Sequence, residues 1–202
     1  MYPLTNLEVL SRSPVSLAKQ TEVYTDQTSR LLLEAALRVL ARDSLRGVTY
    51  RAVAAEAKVS ERTVFRYFAA REEFLDAIAL ELTRRLDLPP PPTSIGKLQE
   101  APDALYRCFE RESNLTRAGV HSELHERMRA MARPRWLAVR RLVEAYSPQV
   151  TEQRRKFASV NFQYILSANA WHSYRFHFRL TIDESIECAK TSIRQTISGL
   201  QS

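Results

Sequence analysis

Glycine is scarce in this chain: four in 202 residues, beside nine prolines and two cysteines. So little glycine argues against a glycine-rich phosphate loop, a collagenous repeat and an all-β fold built on tight turns. Cys108 and Cys188 give neither a disulfide framework nor the spacing of a zinc site. No apolar run approaches the ~18 residues a membrane helix needs. The opening MYPLTNLEVLSRSP lacks a basic start, an apolar stretch and a small-residue cleavage site, so no export leader is expected. A cytoplasmic protein without a membrane partner is the expectation.

Apolar residues make up 45% of the chain, enough for a substantial core. Thirty Lys and Arg against 23 Asp and Glu give a formal charge of +7, which favours an anionic partner. Six bases lie between Arg46 and Arg71 against Glu56 and Glu61. A second stretch, Arg107 to Lys156, holds twelve bases and six acids, so charge alone does not locate a site.

Residues 1–25 show no apolar period and contain Pro3 and Pro14; they read as a flexible arm. Helical patterning begins with Leu33, Ala36, Leu37 and Leu40, with Asp26 or Thr28 as cap. Two short helices follow, Tyr50–Ala57 behind Thr49 and Glu61–Phe68 behind Ser60. A fourth runs from about Arg71 to Leu86. Pro89 to Pro92 cannot continue it, because each ring removes an N–H and clashes with the preceding turn. This run marks the boundary between domains of residues 26–86 and 93–202. The second reads as helices near 94–112, 114–119, 121–146, 149–178 and 183–200. Pro134 should kink or split the third, Ser147-Pro148 should open the fourth, and Thr181 with Asp183 and Glu184 should cap the last. The fold expected is all-α.

The stretch TYRAVAAEAKVSERTVFRYF, residues 49–68, carries the chemistry. Ala54, Ala57, Val59, Val64 and Phe68 are small or apolar where two short helices must cross closely. Ser60 is placed to accept from the free N–H groups opening the second helix. Glu61, Arg62, Thr63, Arg66 and Tyr67 are left on the surface, and a two-turn helix with donors at its N-terminal end fits the major groove. Arg62 suits a guanine edge; Thr63, Arg66 and Tyr67 suit phosphate oxygens. An ordinary helical hairpin with a polar face is the plainer reading of the same spacing.

These residues resemble the DNA-binding domain of the tetracycline-repressor (TetR) family of bacterial transcriptional regulators, over about Leu31 to Leu82. Thr49, Ala54, Ala57, Val59-Ser60, Thr63, Phe65, Tyr67-Phe68 and Arg71 meet the family's pattern. The resemblance implies an N-terminal three-helix helix-turn-helix domain joined to a larger helical domain for effector binding and dimerisation. It puts Glu61, Arg62 and Phe65 toward bases, and Thr63, Arg66, Tyr67 and Arg71 toward phosphates, with Arg51 a weaker candidate. Lys58 and Ser44 stand where the family usually has glycine; if their backbones are left-handed, each costs about 1 kcal/mol. Phe65 replaces the commoner tyrosine. It either touches a thymine methyl or is core, and core is the preferred reading. Glu61 either accepts from a cytosine amino group or orients Arg62 and Arg66.

The resemblance further implies a homodimer whose last two helices, about 157–176 and 183–200, form a four-helix bundle with the partner's pair. Phe157, Val160, Tyr164, Ala168, Trp171 and Arg175 mark one stripe; Ile186, Ala189, Ile193, Ile197 and Leu200 mark another. Stripes of this spacing are also ordinary core. For a small-molecule effector the candidates are Tyr106, Phe109, His121, His125, Trp136, Tyr164, Trp171 and His172. His121 and His125 have metal-ligand spacing on one helical face, but without a third ligand no metal is expected, and no cofactor. The function implied is a repressor released from a palindromic double-stranded DNA operator by a ligand. A DNA-binding regulator without such an effector is the alternative. An all-α enzyme is a remote one, since no paired carboxylates or Ser/His/Asp constellation stand at workable spacing.

Overall fold

The computed structural model describes residues 26–201, so the arm expected over residues 1–25 lies outside the described residues. Among these the chain forms eleven α-helices, one π-helical turn and no strand. Two compact units divide between Glu81 and Leu82, inside the fourth helix.

The first unit holds α1 (Gln27–Gly47), α2 (Tyr50–Ala57), α3 (Glu61–Tyr67) and most of α4 (Arg71–Leu86). Each of the first three starts at a side-chain cap. Asp26 accepts from the N–H groups of Thr28 and Ser29, Thr49 from Ala52, and Ser60 from Thr63 at 3.2 Å. Each cap satisfies a donor that the first helical turn leaves unpaired. Leu32, Leu33, Ala36, Leu37 and Leu40 of α1 are buried, as are Val53, Ala54 and Ala57 of α2, Val64 of α3 and Phe68. Phe68 meets Phe74 of α4 with ring centroids 4.8 Å apart. Full burial of side chains this size stabilises by roughly 1.5–3 kcal/mol each. Across the surface, Glu56 of α2 accepts from Arg38 at 2.8 Å and Arg42 at 3.3 Å, tying α2 to α1. Those two guanidiniums, Arg38 first, hold the Glu56 carboxyl below its ordinary pKa.

Both glycine-substituting positions have positive φ. Lys58 adopts φ 57°, ψ 43°, the left-handed turn between α2 and α3. Ser44 adopts φ 64°, ψ 177°, a region almost reserved for glycine, and interrupts α1 near its end.

The second unit contains α5 (Ile95–Arg111), α6 (Ser113–Val120), α7 (Leu124–Met131), α8 (Arg133–Tyr146), α9 (Glu152–Ile165), α10 (Ala168–His172), the π-helical turn Ser173–His177 and α11 (Ile182–Ser198). α5 packs on α11, and α9 packs on both α8 and α11. Their common core includes Leu105, Tyr106, Phe109, Val143, Phe162, Trp171, Ile186, Ile193 and Ile197. α5 persists through Pro102 in its interior because Leu98, Leu105, Tyr106 and Phe109 are buried around it. Burial outweighs the ~3 kcal/mol that an interior proline costs a helix.

Pro134 splits rather than kinks: α7 ends at Met131 and proline lies in the first turn of α8. The last helix is opened by a reciprocal capping box, Thr181 with Glu184. Elsewhere the expected bounds shift. The helix expected from 149 starts at the Thr151 cap, while the Ser147 hydroxyl donates back to Val143 O at 2.9 Å and closes α8. It also does not run to 178. Ser167 donates to Tyr164 O at 2.6 Å, accepts from the Ala170 N–H, and so starts α10 afresh. Such local side-chain bonds compete with the continuing helix.

Candidate nucleic-acid interface

Val64 of α3 and the following Phe68 point inward, which turns Glu61, Arg62, Phe65 and Arg66 to the surface. Arg62, Phe65 and Arg66 line one shallow open hollow with Ser60 and Thr63. Five of the nine residues singled out in the sequence are thus brought together. Ser60 is engaged at the helix start, with its Oγ 3.0 Å from Thr63 Oγ1. Arg62 has no ion pair among the described residues. Glu61 bonds neither Arg62 nor Arg66, so it does not orient them in this structure. The Arg66 guanidinium carbon lies 5.3 Å from the centre of the Tyr67 ring.

Three placements differ from the sequence expectation. Phe65 is not core: 48% of it is exposed, and its ring leans on that of Tyr50 at 4.3 Å. Tyr50 is in turn stacked on Phe74 at 5.3 Å, so the inward place is already filled. The Tyr67 hydroxyl is engaged with the Asp26 carboxylate, and this bond is the foremost cause of that carboxyl's lowered pKa. Arg71, at the start of α4, donates to the Val48 carbonyl at 2.5 Å. One of its nitrogens therefore holds the α1–α2 junction. Arg51 is exposed on α2.

This is the local architecture of a helix-turn-helix: two short capped helices, a left-handed residue between them, and a second helix with a basic outer face. Residues 32–78 match the family model of bacterial regulatory proteins, tetR family. The chain carries a TetR-family DNA-binding domain. A search of curated proteins returns no match. Among solved structures, a transcriptional regulator from Rhodococcus sp. Rha1 is 16% identical, with 84% of this chain and 96% of that chain covered at a TM-score of 0.58. A TetR-like transcriptional regulator from Rhodococcus sp. RHA1 is 13% identical, covers 84% and 95%, and has a TM-score of 0.56. The multidrug binding protein EbrR complexed with imidazole is 19% identical, covers 83% and 93%, and has a TM-score of 0.50. At such identities the likeness shows the TetR fold.

In the second unit, the eight ligand candidates do not share one surface. Tyr106 and Phe109 are buried in the core, and the Tyr106 hydroxyl donates to Ile165 O at 2.7 Å. Burial pushes that phenol's pKa far up. Trp136 is partly buried against the same core, and Tyr164 is 57% exposed. His121 and His125 do not share a helical face: α6 ends at Val120 and α7 starts at Leu124, so a turn separates the rings. His121 instead meets His172 of α10, Nε2 to Nε2 at 3.0 Å. Trp171 donates through Nε1 to Glu110 at 3.0 Å. Arg175 clamps the same carboxylate with bonds of 2.9 and 2.7 Å, which holds the Glu110 carboxyl below its ordinary pKa. No group of three metal-ligating side chains forms among the described residues.

Three residues here were not singled out: Glu110, Arg117 and Phe176. Arg117 lies four before His121, a helical spacing that was legible. Glu110 and Arg175 are 65 positions apart, and no local pattern announces that pair. None of the described helices is long and apolar enough to cross a membrane.

Proposed function

We propose that the chain is a homodimeric repressor that binds a two-fold symmetric DNA operator through α3 and leaves it when a small molecule binds its second unit. The observation that carries this reading is Arg62: exposed, free of any ion pair among the described residues, and in the first turn of a capped helix. A guanidinium so presented forms bidentate bonds to a guanine edge. Arg66, Thr63 and the α3 N-terminus supply phosphate contacts, with Arg51 and the remaining nitrogens of Arg71 as flanking ones. Phe65 offers an apolar edge to a thymine methyl. Glu61 accepts from a cytosine amino group, the role left to it without a bond to either arginine.

One recognition helix gives too few contacts for a specific site, and pairing two half-sites supplies the rest. On α9, Phe157, Val160 and Tyr164 recur at helical spacing and are 57%, 54% and 57% exposed, an apolar face suited to a second copy. The α11 stripe does not contribute in the way its sequence suggested: Ile186, Ala189, Ile193, Ile197 and Leu200 are buried within the chain's own core. Exposed α11 positions join α9 at the edge of the dimer instead. That EbrR, a protein of this fold, is a multidrug binding protein supports a ligand-responsive second unit. A ligand releases DNA by binding the conformer that does not fit the operator more tightly. The reading implies a cytoplasmic regulator without catalytic activity.

The test is selection of random duplex DNA by the purified full chain at moderate salt. Enrichment of a two-fold symmetric site is expected. Binding that vanishes as salt rises, with no sequence enriched, would contradict it.

A further inference from the structure

Where α6 ends, Arg117 and His121 lie one helical turn apart, joined by the His121 N–H to the Arg117 carbonyl at 3.2 Å. His172 of α10 faces them, its ring edge-on to that of His121 at 4.3 Å and its Nε2 3.0 Å from the other. Phe176, in the π-helical turn, closes one side. Its ring lies 5.2 Å from that of His172 and 5.5 Å from that of Trp171, and the Arg117 guanidinium carbon sits 4.4 Å above it. Arg117 and His121 are exposed to solvent.

Opposite charge is missing from this cluster. Among the described residues Arg117 has no carboxylate partner, and the two imidazoles bond only each other. The acid at its edge, Glu110, is already taken by Arg175 and by Trp171 Nε1. The surroundings act accordingly on His172, whose pKa is pushed down by burial first, then by His121 and Arg117. One guanidinium and two imidazoles thus converge with donors to spare, beside the exposed ring of Phe176. Arg presents a planar fork matched to carboxylate and phosphate oxygens, and Phe176 already fixes the position of that fork.

We propose that Arg117, His121 and His172 form an anion site that takes the carboxylate or phosphate of an amphipathic small molecule, whose apolar body rests on the exposed ring of Phe176. The inference rests on the ligand-responsive reading above and gives that effector a chemical class. On binding, the anion accepts from Arg117 and replaces the mutual bond of the two imidazoles. The end of α6 and α10, now joined by that bond, are then joined through the ligand.

The test follows the imidazole resonances of the full chain, with histidines isotopically labelled, during titration with benzoate, phenyl phosphate or neutral benzyl alcohol. Saturable shifts of His121 and His172 are expected with an anion and not with the alcohol, and the stronger of the two anions names the head group. Arg117→Gln should weaken that binding about tenfold or more, the scale of one charge-assisted contact, with the fold intact by circular dichroism and the melting temperature lowered by no more than the loss of one exposed cation–π contact. His172→Gln should weaken it while leaving the fold intact by circular dichroism. Equal shifts with alcohol and anions, no saturable shift with either anion, or indifference to Arg117→Gln would overturn the site. A metabolite that releases operator DNA equally from wild type and Arg117→Gln would also overturn it, while leaving the ligand-responsive reading standing.

Discussion

The ring of Phe65 rests on the ring of Tyr50, 4.3 Å between centroids, with nearly half of Phe65 open to solvent. Tyr50 opens α2 and Phe65 lies in α3, so the outward aromatic of the second helix is braced by the first residue of the helix before it. This brace separates a packing role from a contact role. Phe65→Ala should cost about 0.5–1.5 kcal/mol of stability, the scale of an aromatic pair, rather than the 3–5 kcal/mol of a deleted core phenylalanine. It should also weaken DNA binding measurably. Chemical denaturation and fluorescence anisotropy check the two effects. A loss of several kcal/mol with DNA affinity unchanged would return Phe65 to the core.

Ser44 and Lys58 hold backbones that favour glycine. Lys58→Gly should stabilise the first unit by about 1 kcal/mol, and Ser44→Gly by about 1–2 kcal/mol because its ψ lies further from the ordinary left-handed well. Thermal melting checks both. A fall in melting temperature for either variant would mean that the strain assigned there is absent.

Glu110 is the acceptor for both Arg175 and Trp171. Removing it in Glu110→Ala leaves a guanidinium and an indole N–H without their partner, and the expected loss is about 2 kcal/mol. The pH dependence has a definite sign. The Glu110 carboxyl titrates below its unfolded value, so its contribution is present at neutral pH and is lost as pH falls through the folded value. His172 is depressed as well; its contribution is present above the unfolded histidine range and lost as the solution is acidified below it. Stability should therefore fall in two stages on acidification, the first below the ordinary histidine range and the second below the ordinary carboxylate range. His172→Gln should flatten the first and Glu110→Gln the second, as read by denaturant midpoints across pH.

The exposed face of α9 gives a sharper test of assembly than the α11 stripe. Val160→Glu with Tyr164→Glu should give a folded monomer by light scattering. Ile193→Glu should instead unfold the second unit, since that side chain is fully buried and an unpaired buried charge is costly. A dimer that survives the α9 double variant would put the interface elsewhere.

Much of this was legible in the sequence because the signals are local. Thr49, Ser60 and Thr181 cap helices where their positions said they should, and Val64 and Phe68 point inward as their spacing required. What stayed hidden depends on residues distant in the chain. Phe65 reads as core until Tyr50 and Phe74 are seen to fill the space behind it. The α11 stripe has the same periodicity whether it meets α5 or a partner. His121 and His125 look like one face because nothing in their spacing reveals that the helix stops at Val120.

The central claim, that α3 reads DNA with Arg62 on bases and Arg66 on phosphates, is tested most directly by affinity against salt for wild type, Arg62→Ala and Arg66→Ala on a selected site and on random duplex. Arg66→Ala should weaken binding to both and reduce the salt slope by about one unit. Arg62→Ala should instead lose about 1–3 kcal/mol of preference for the selected site at one base position. Equal losses from both variants on both DNAs would contradict the assignment.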